Sequence, residues 1–147
     1  MRKMTPERGV FSAKLSELES AYARLDSCVR HLQSADAAEL KNQLKELDEE
    51  DRRCSAALEK RAGSRLPFAA ALSSLQLKYV RGVDDLLSSE MDSGISRSDK
   101  VEAAALTAEH MIDLATAACR QALRAATAAL LWQRESENKK QARESEC

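Results

Sequence analysis

Apolar residues recur along this chain at alternating intervals of four and three, in blocks separated by short polar breaks. The clearest block is Phe11, Leu15, Leu18, Tyr22, Leu25, Val29 and Leu32. Such spacing places every member on one narrow stripe of a helix, and it runs through three heptads without a break. It predicts a helix from about Pro6 to Ser34, with Thr5 as its N-cap and Pro6 in the first turn, where a missing N–H costs nothing. A second block, Leu40, Leu44, Leu47, Asp51, Cys54 and Leu58, predicts a helix over Ala37–Ala62. Asp36 and Glu39 stand at capping-box spacing before it, and Gly63 follows as a C-terminal stop. Asp51 interrupts this seam, as a register device or because the helix turns outward there.

The third helix is expected over Pro67–Asp92, with the stripe Phe68, Leu72, Leu75, Tyr79, Val83 and Leu86 or Leu87, ending near Met91. Gly82 lies inside it and suggests a bend or a close helix crossing, since a mid-helix glycine costs about 1 kcal/mol against alanine. The fourth helix should begin near Arg97, with Ser96 or Ser98 as cap and Asp99 in the first turn, and run to about Lys140. Its seam is small: Val101, Ala105, Ala108, Ile112, Ala115, Cys119, Ala122, Ala126 and Ala129. A seam of alanines allows a neighbouring helix to approach closely.

The breaks at 35–36, 63–66 and 93–96 are short, and short connections set successive helices antiparallel and side by side. The expected fold is therefore all-α: an antiparallel up-down-up-down four-helix bundle or coiled coil with an extended fourth helix. It would form a single domain over residues 5–141, with a frayed tail at 142–147. Two helical hairpins exchanged in a dimer would bury the same seams.

Folding the chain at these turns matches the first three helices in length and leaves the fourth without a neighbour from about Leu123 onward. That overhang holds Leu123, Ala126, Leu130, Leu131 and Trp132, the last being the only tryptophan. An apolar patch without a partner in its own chain points to an interaction surface, and tryptophan is enriched among binding hot spots. Arg61, Arg65 and Arg124 gather at the same end and suit an acidic partner segment. The competing expectations are that the amino-terminal residues cover the overhang, that the fourth helix kinks back, or that two copies bury their overhangs together.

Composition narrows the class further. Among 147 residues, 25 are alanine and only 3% are aromatic, which suits helices and starves a sheet. The net charge of −1 gives no global field toward nucleic acid or a membrane surface. The basic start carries no following apolar run of signal-peptide type, and no apolar stretch is long enough to span a bilayer. Cys28, Cys54, Cys119 and Cys147 lie far apart with no CxxC, so reduced thiols and a cytoplasmic setting are expected.

Catalytic and metal patterns are weak. Cys28 and His31 are three apart, but a metal needs further ligands. Glu109, His110 and Asp113 lack the Glu-x-x-His spacing of di-iron bundles, because Thr107 occupies the glutamate position. No glycine-rich phosphate loop is present. The expectation is a non-catalytic helical interaction protein without cofactor or metal: an adaptor or scaffold subunit, or a chaperone for a partner's amphipathic helix. Its partner would be another helical protein or a second copy, with no small-molecule substrate. The alternatives are a bundle that binds an anionic surface through its basic end, or a metal or enzyme site in the bundle core. The sparse aromatics and broken basic stripe argue against nucleic acid and membrane.

Overall fold

The computed structural model describes residues 10–92 and 94–146. They form four helices and, among the described residues, no strand: α1 (Val10–Leu32), α2 (Ala37–Ala62), α3 (Pro67–Asp92) and α4 (Arg97–Ser145). The all-α, four-helix reading of the sequence is thus the architecture of the chain. The predicted bounds of α2 and α3 match residue for residue. α4 continues past its expected end near Lys140. No proline or glycine interrupts it, and Gln133 Nε2 donates to Glu137 Oε1 one turn on (3.5 Å). The proposed start at Thr5 and Pro6 lies outside the described residues.

The caps explain the starts. The Asp36 carboxylate accepts from the Glu39 N–H at 2.9 Å, as the capping-box spacing predicts. Ser96, not Ser98, caps α4: its Oγ accepts from the Asp99 N–H at 3.2 Å and its carbonyl from the Lys100 N–H at 3.0 Å. Between α2 and α3, the Ser64 hydroxyl accepts from the Leu66 N–H at 3.2 Å, and Leu66 then begins the α3 ladder through Ala70 N–H at 2.9 Å. Gly63 closes α2 by donating to Glu59 and Lys60, yet its φ of −89° needs no glycine. The glycine that does need its freedom is Gly94, with φ +72° in the turn before α4.

The chain divides into two units. Of the described residues, one holds those from 32 to 109, with α2, α3 and the start of α4; the other holds 10–31 and 110–146, with α1 and the rest of α4. In the first, α2 and α3 pack along each other. Glu59 of α2 pairs with Arg81 of α3, whereas Asp51, two turns back on α2, lies near Asp84, further along α3. Moving backward on one helix moves forward on the other, so the hairpin is antiparallel. Its centre holds Leu58 (5% exposed) and Leu77 (8%), the buried hydrophobic residues of the described chain.

The stripe that α3 turns to α2 differs from the expected one. Covered or half-covered positions run Ala70, Ser73, Leu77 and Val80, then, beyond Asp84, Leu87 and Met91. Phe68, Leu72, Leu75 and Leu86 of the expected stripe are exposed, although its later members Tyr79, Val83, Leu87 and Met91 are half-buried. The two stripes are offset by two residues, about 160° around the helix at 100° per residue. Near the turn the packed stripe is small, Ala70 and Ser73, and the large side chains of Phe68 and Leu72 are left outside. Gly82 makes neither a crossing nor a break: nothing lies within 4 Å of a Cβ built on it, and α3 passes through it uninterrupted. The alanine seam expected on α4 is half-buried only at Ala126 and Ala129. Ala105, Ala108, Ala115, Cys119 and Ala122 are exposed, while Ala103, Thr107, Leu114 and Ala117 are half-buried.

Candidate interaction surfaces

Each of the eight residues singled out from the sequence has a defined place. Arg61 and Arg65 are exposed at the α2–α3 turn, in the first unit. Leu123, Ala126, Leu130, Leu131, Trp132 and Arg124 lie on the second half of α4, in the other unit. These six do not form one patch. At 100° per residue, Trp132 lies opposite Leu123 and some 160° from Leu130.

Two sides result. Ala126, Ala129, Leu130 and Gln133 make a half-buried stripe. At its end, Gln133 Oε1 is buried with no hydrogen-bond partner among the described residues. The other side carries Arg124, Leu131 and Trp132, all exposed, with Trp132 at 66%. A tryptophan left two-thirds open exposes a large apolar ring whose N–H needs a partner when covered. Thr127, on the backbone between the two sides, turns its hydroxyl to the Leu123 carbonyl at 2.7 Å. Its hydroxyl is thereby satisfied within the helix.

Exposed apolar stripes are not confined to α4. On α1, Leu15, Leu18, Tyr22, Leu25 and Val29 are all exposed, and on α2 so are Leu40 and Leu44. The sequence pattern places the α1 stripe in a core, and what its regular spacing also signals is a narrow seam fit for one other helix.

The charged groups of the hairpin are mixed, with Lys41 and Lys45 beyond Asp48 and Glu59 near the turn, but two clusters stand out. Lys60, Arg61 and Arg65 stand at the turn, and Asp48, Asp51, Asp84 and Asp85 toward the other end. Asp84 occupies the place in the α3 stripe between Val80 and Leu87, as Asp51 does in the α2 stripe. The two carboxylates therefore face each other across the seam. Partial loss of hydration raises the Asp84 pKa above its ordinary value, and Asp51, Asp85 and Asp48 raise it further. Asp84 remains exposed as a residue, so this is a modest, screened effect. A like-charged pair cannot lock register by attraction; the seam opens to water there, consistent with the exposure of both residues.

Among the described residues no group of three or more His, Cys, Asp or Glu side chains is placed to hold a metal ion. Cys28, Cys54 and Cys119 are unpaired thiols, Cys28 half-buried and the other two exposed. No helix among the described residues is long and apolar enough to cross a membrane. An open groove on the flank of α3, lined by Ser74, Lys78, Arg81 and Asp85, has no depth to enclose a ligand, and Arg81 is engaged with Glu59.

These features describe an all-α protein whose helices carry more apolar stripe than the described chain buries. No family model matches the sequence, and no match was found among curated proteins or solved structures.

Proposed function

We propose that this chain is a non-catalytic helical interaction protein, an adaptor or scaffold subunit or a chaperone for a partner's amphipathic helix. It binds through the side of α4 that carries Arg124, Leu131 and Trp132. The observation that supports this reading is Trp132, 66% exposed beside Leu131 on a helix that runs uninterrupted through it. A partner helix would seat an apolar residue against the indole, and an acidic side chain would meet Arg124. The half-buried side, with Ala126 and Leu130, supports the helix from behind. The long intervals between Cys28, Cys54, Cys119 and Cys147, without a CxxC, favour a reducing, cytoplasmic setting.

The test is capture with the tagged full chain, followed by titration of each purified partner. Trp132 is the only tryptophan, so its emission reports directly on cover. The expected result is a blue shift on binding and at least tenfold weaker binding for Trp132→Ala and Leu131→Asp, with Leu123→Asp on the opposite side near wild type. A partner that binds Trp132→Ala as tightly as wild type would overturn the assignment.

A further inference from the structure

The α1 stripe carries its own information about what covers it. In heptad terms Leu15, Tyr22 and Val29 take the a positions, and Phe11, Leu18, Leu25 and Leu32 the d positions. The five central residues are exposed, from 45% for Leu25 to 68% for Tyr22. A stripe confined to a and d suits a single facing helix with the same repeat, and leucine at d with β-branched valine at an a position favours two strands.

The flanking positions choose the partner and its direction. The e positions are Ser12, Glu19 and Asp26; the g positions are Lys14, Ala21 and Cys28. When two copies of α1 run parallel and in register, each g residue meets the e residue five positions on in the other copy. Lys14 then meets Glu19 of the second copy, twice per dimer, and Ala21 meets Asp26. No like charges face each other. Antiparallel copies at full overlap set Glu19 against Asp26 or against Glu19, acid against acid. Local pairs leave the first arrangement open. Lys14 Nζ donates to Glu17 on its own helix at 3.2 Å with further protons to share, and Asp26 is already held by Arg30 at 3.1 Å.

We infer that α1 is a self-pairing seam: two copies of this chain associate through it as a parallel, in-register coiled coil. This rests on α1 alone and stands apart from the Trp132 face of α4.

Sedimentation equilibrium on the full chain tests it, with circular dichroism to confirm that helix is retained. Wild type should be a dimer, and Leu25→Asp a monomer. Glu19→Lys, at an exposed position outside the stripe, sets a second ammonium against Lys14 of the other copy and should weaken the dimer about tenfold. Lys14→Glu combined with Glu19→Lys restores opposite charges and should return affinity to within about threefold of wild type. A wild-type chain that stays monomeric, or a dimer that survives Leu25→Asp, overturns the seam. A dimer tightened by Glu19→Lys overturns the parallel direction.

Discussion

At the scale of single residues, three glycines separate what helix geometry tolerates from what it requires. Gly82 is inside α3 with open space where a Cβ would stand, so Gly82→Ala gains helix propensity and meets nothing. It should stabilise the chain by about 1 kcal/mol, read as a rise in denaturant midpoint at unchanged slope. Gly63, at φ −89°, should accept alanine with little effect. Gly94→Ala forces a side chain into φ +72° and should cost about 1–2 kcal/mol. Midpoints that move in the same direction for Gly82→Ala and Gly94→Ala would contradict either the open helical site at Gly82 or the left-handed turn at Gly94. Asp84 behaves as a group whose folded pKa is raised. Its ionisation opposes folding, so stability from this group is full below the ordinary carboxylate pKa and falls as pH climbs through the raised value. Asp84→Asn should therefore stabilise the hairpin at neutral pH. The gain should shrink in high salt and vanish as wild-type Asp84 is itself protonated. An equal gain at pH 3 and pH 7 would assign it to packing instead of charge.

At the scale of the element, existence, caps and the bounds of α2 and α3 were legible from the sequence, because they depend on local chemistry, whereas α1 stops at Leu32, short of the expected Ser34, and α4 runs on to Ser145. Asp36 three residues before Glu39, Pro67 after Leu66 and Ser96 before Asp99 act within one turn of themselves. Which side of a helix packs was less legible. α3 carries two apolar stripes, and the bulkier one, Phe68–Leu72–Leu75, invites selection as core. The packed one is anchored by Leu77 and thinned to Ala70 and Ser73 near the turn, where bulk would hold α2 away. The candidate site on α4 shows the same limit. Apolar residues close in sequence, from Leu123 to Trp132, encircle a helix and do not gather on it. Leu77→Ala should cost about 2–3 kcal/mol, as truncation of a leucine buried to 8% exposure leaves a cavity in the hairpin. Leu75→Ala, at 66% exposure, should change stability by under about 0.5 kcal/mol. Equal losses in a thermal or urea series would mean that Leu75 is covered in solution.

At the scale of the whole molecule, the question is where helical stability comes from. In a folded protein most helical stability comes from packing of an apolar face and less from intrinsic propensity. Among the described residues only Leu58 and Leu77 are buried hydrophobics, while α1 leaves five seam residues exposed and α4 leaves Leu123, Leu131 and Trp132. The fixed order of apolar and polar positions thus extends over faces that the chain's own described contacts do not cover. Assembly through such faces links folding to concentration. Anything that binds the folded chain but not the unfolded one stabilises it in proportion to the logarithm of its free concentration, about 2.7 kcal/mol at a hundred times the dissociation constant. The melting temperature should accordingly rise by several degrees between about 1 and 100 µM chain, at a scale of about 4–8 °C per kcal/mol for small domains falling to about 2–4 °C for larger ones. The rise should be lost in Leu25→Asp, whose melting should be independent of concentration. A wild-type melting temperature that does not move over that range would place the missing burial inside one chain, with the α1 stripe closed against its own helices.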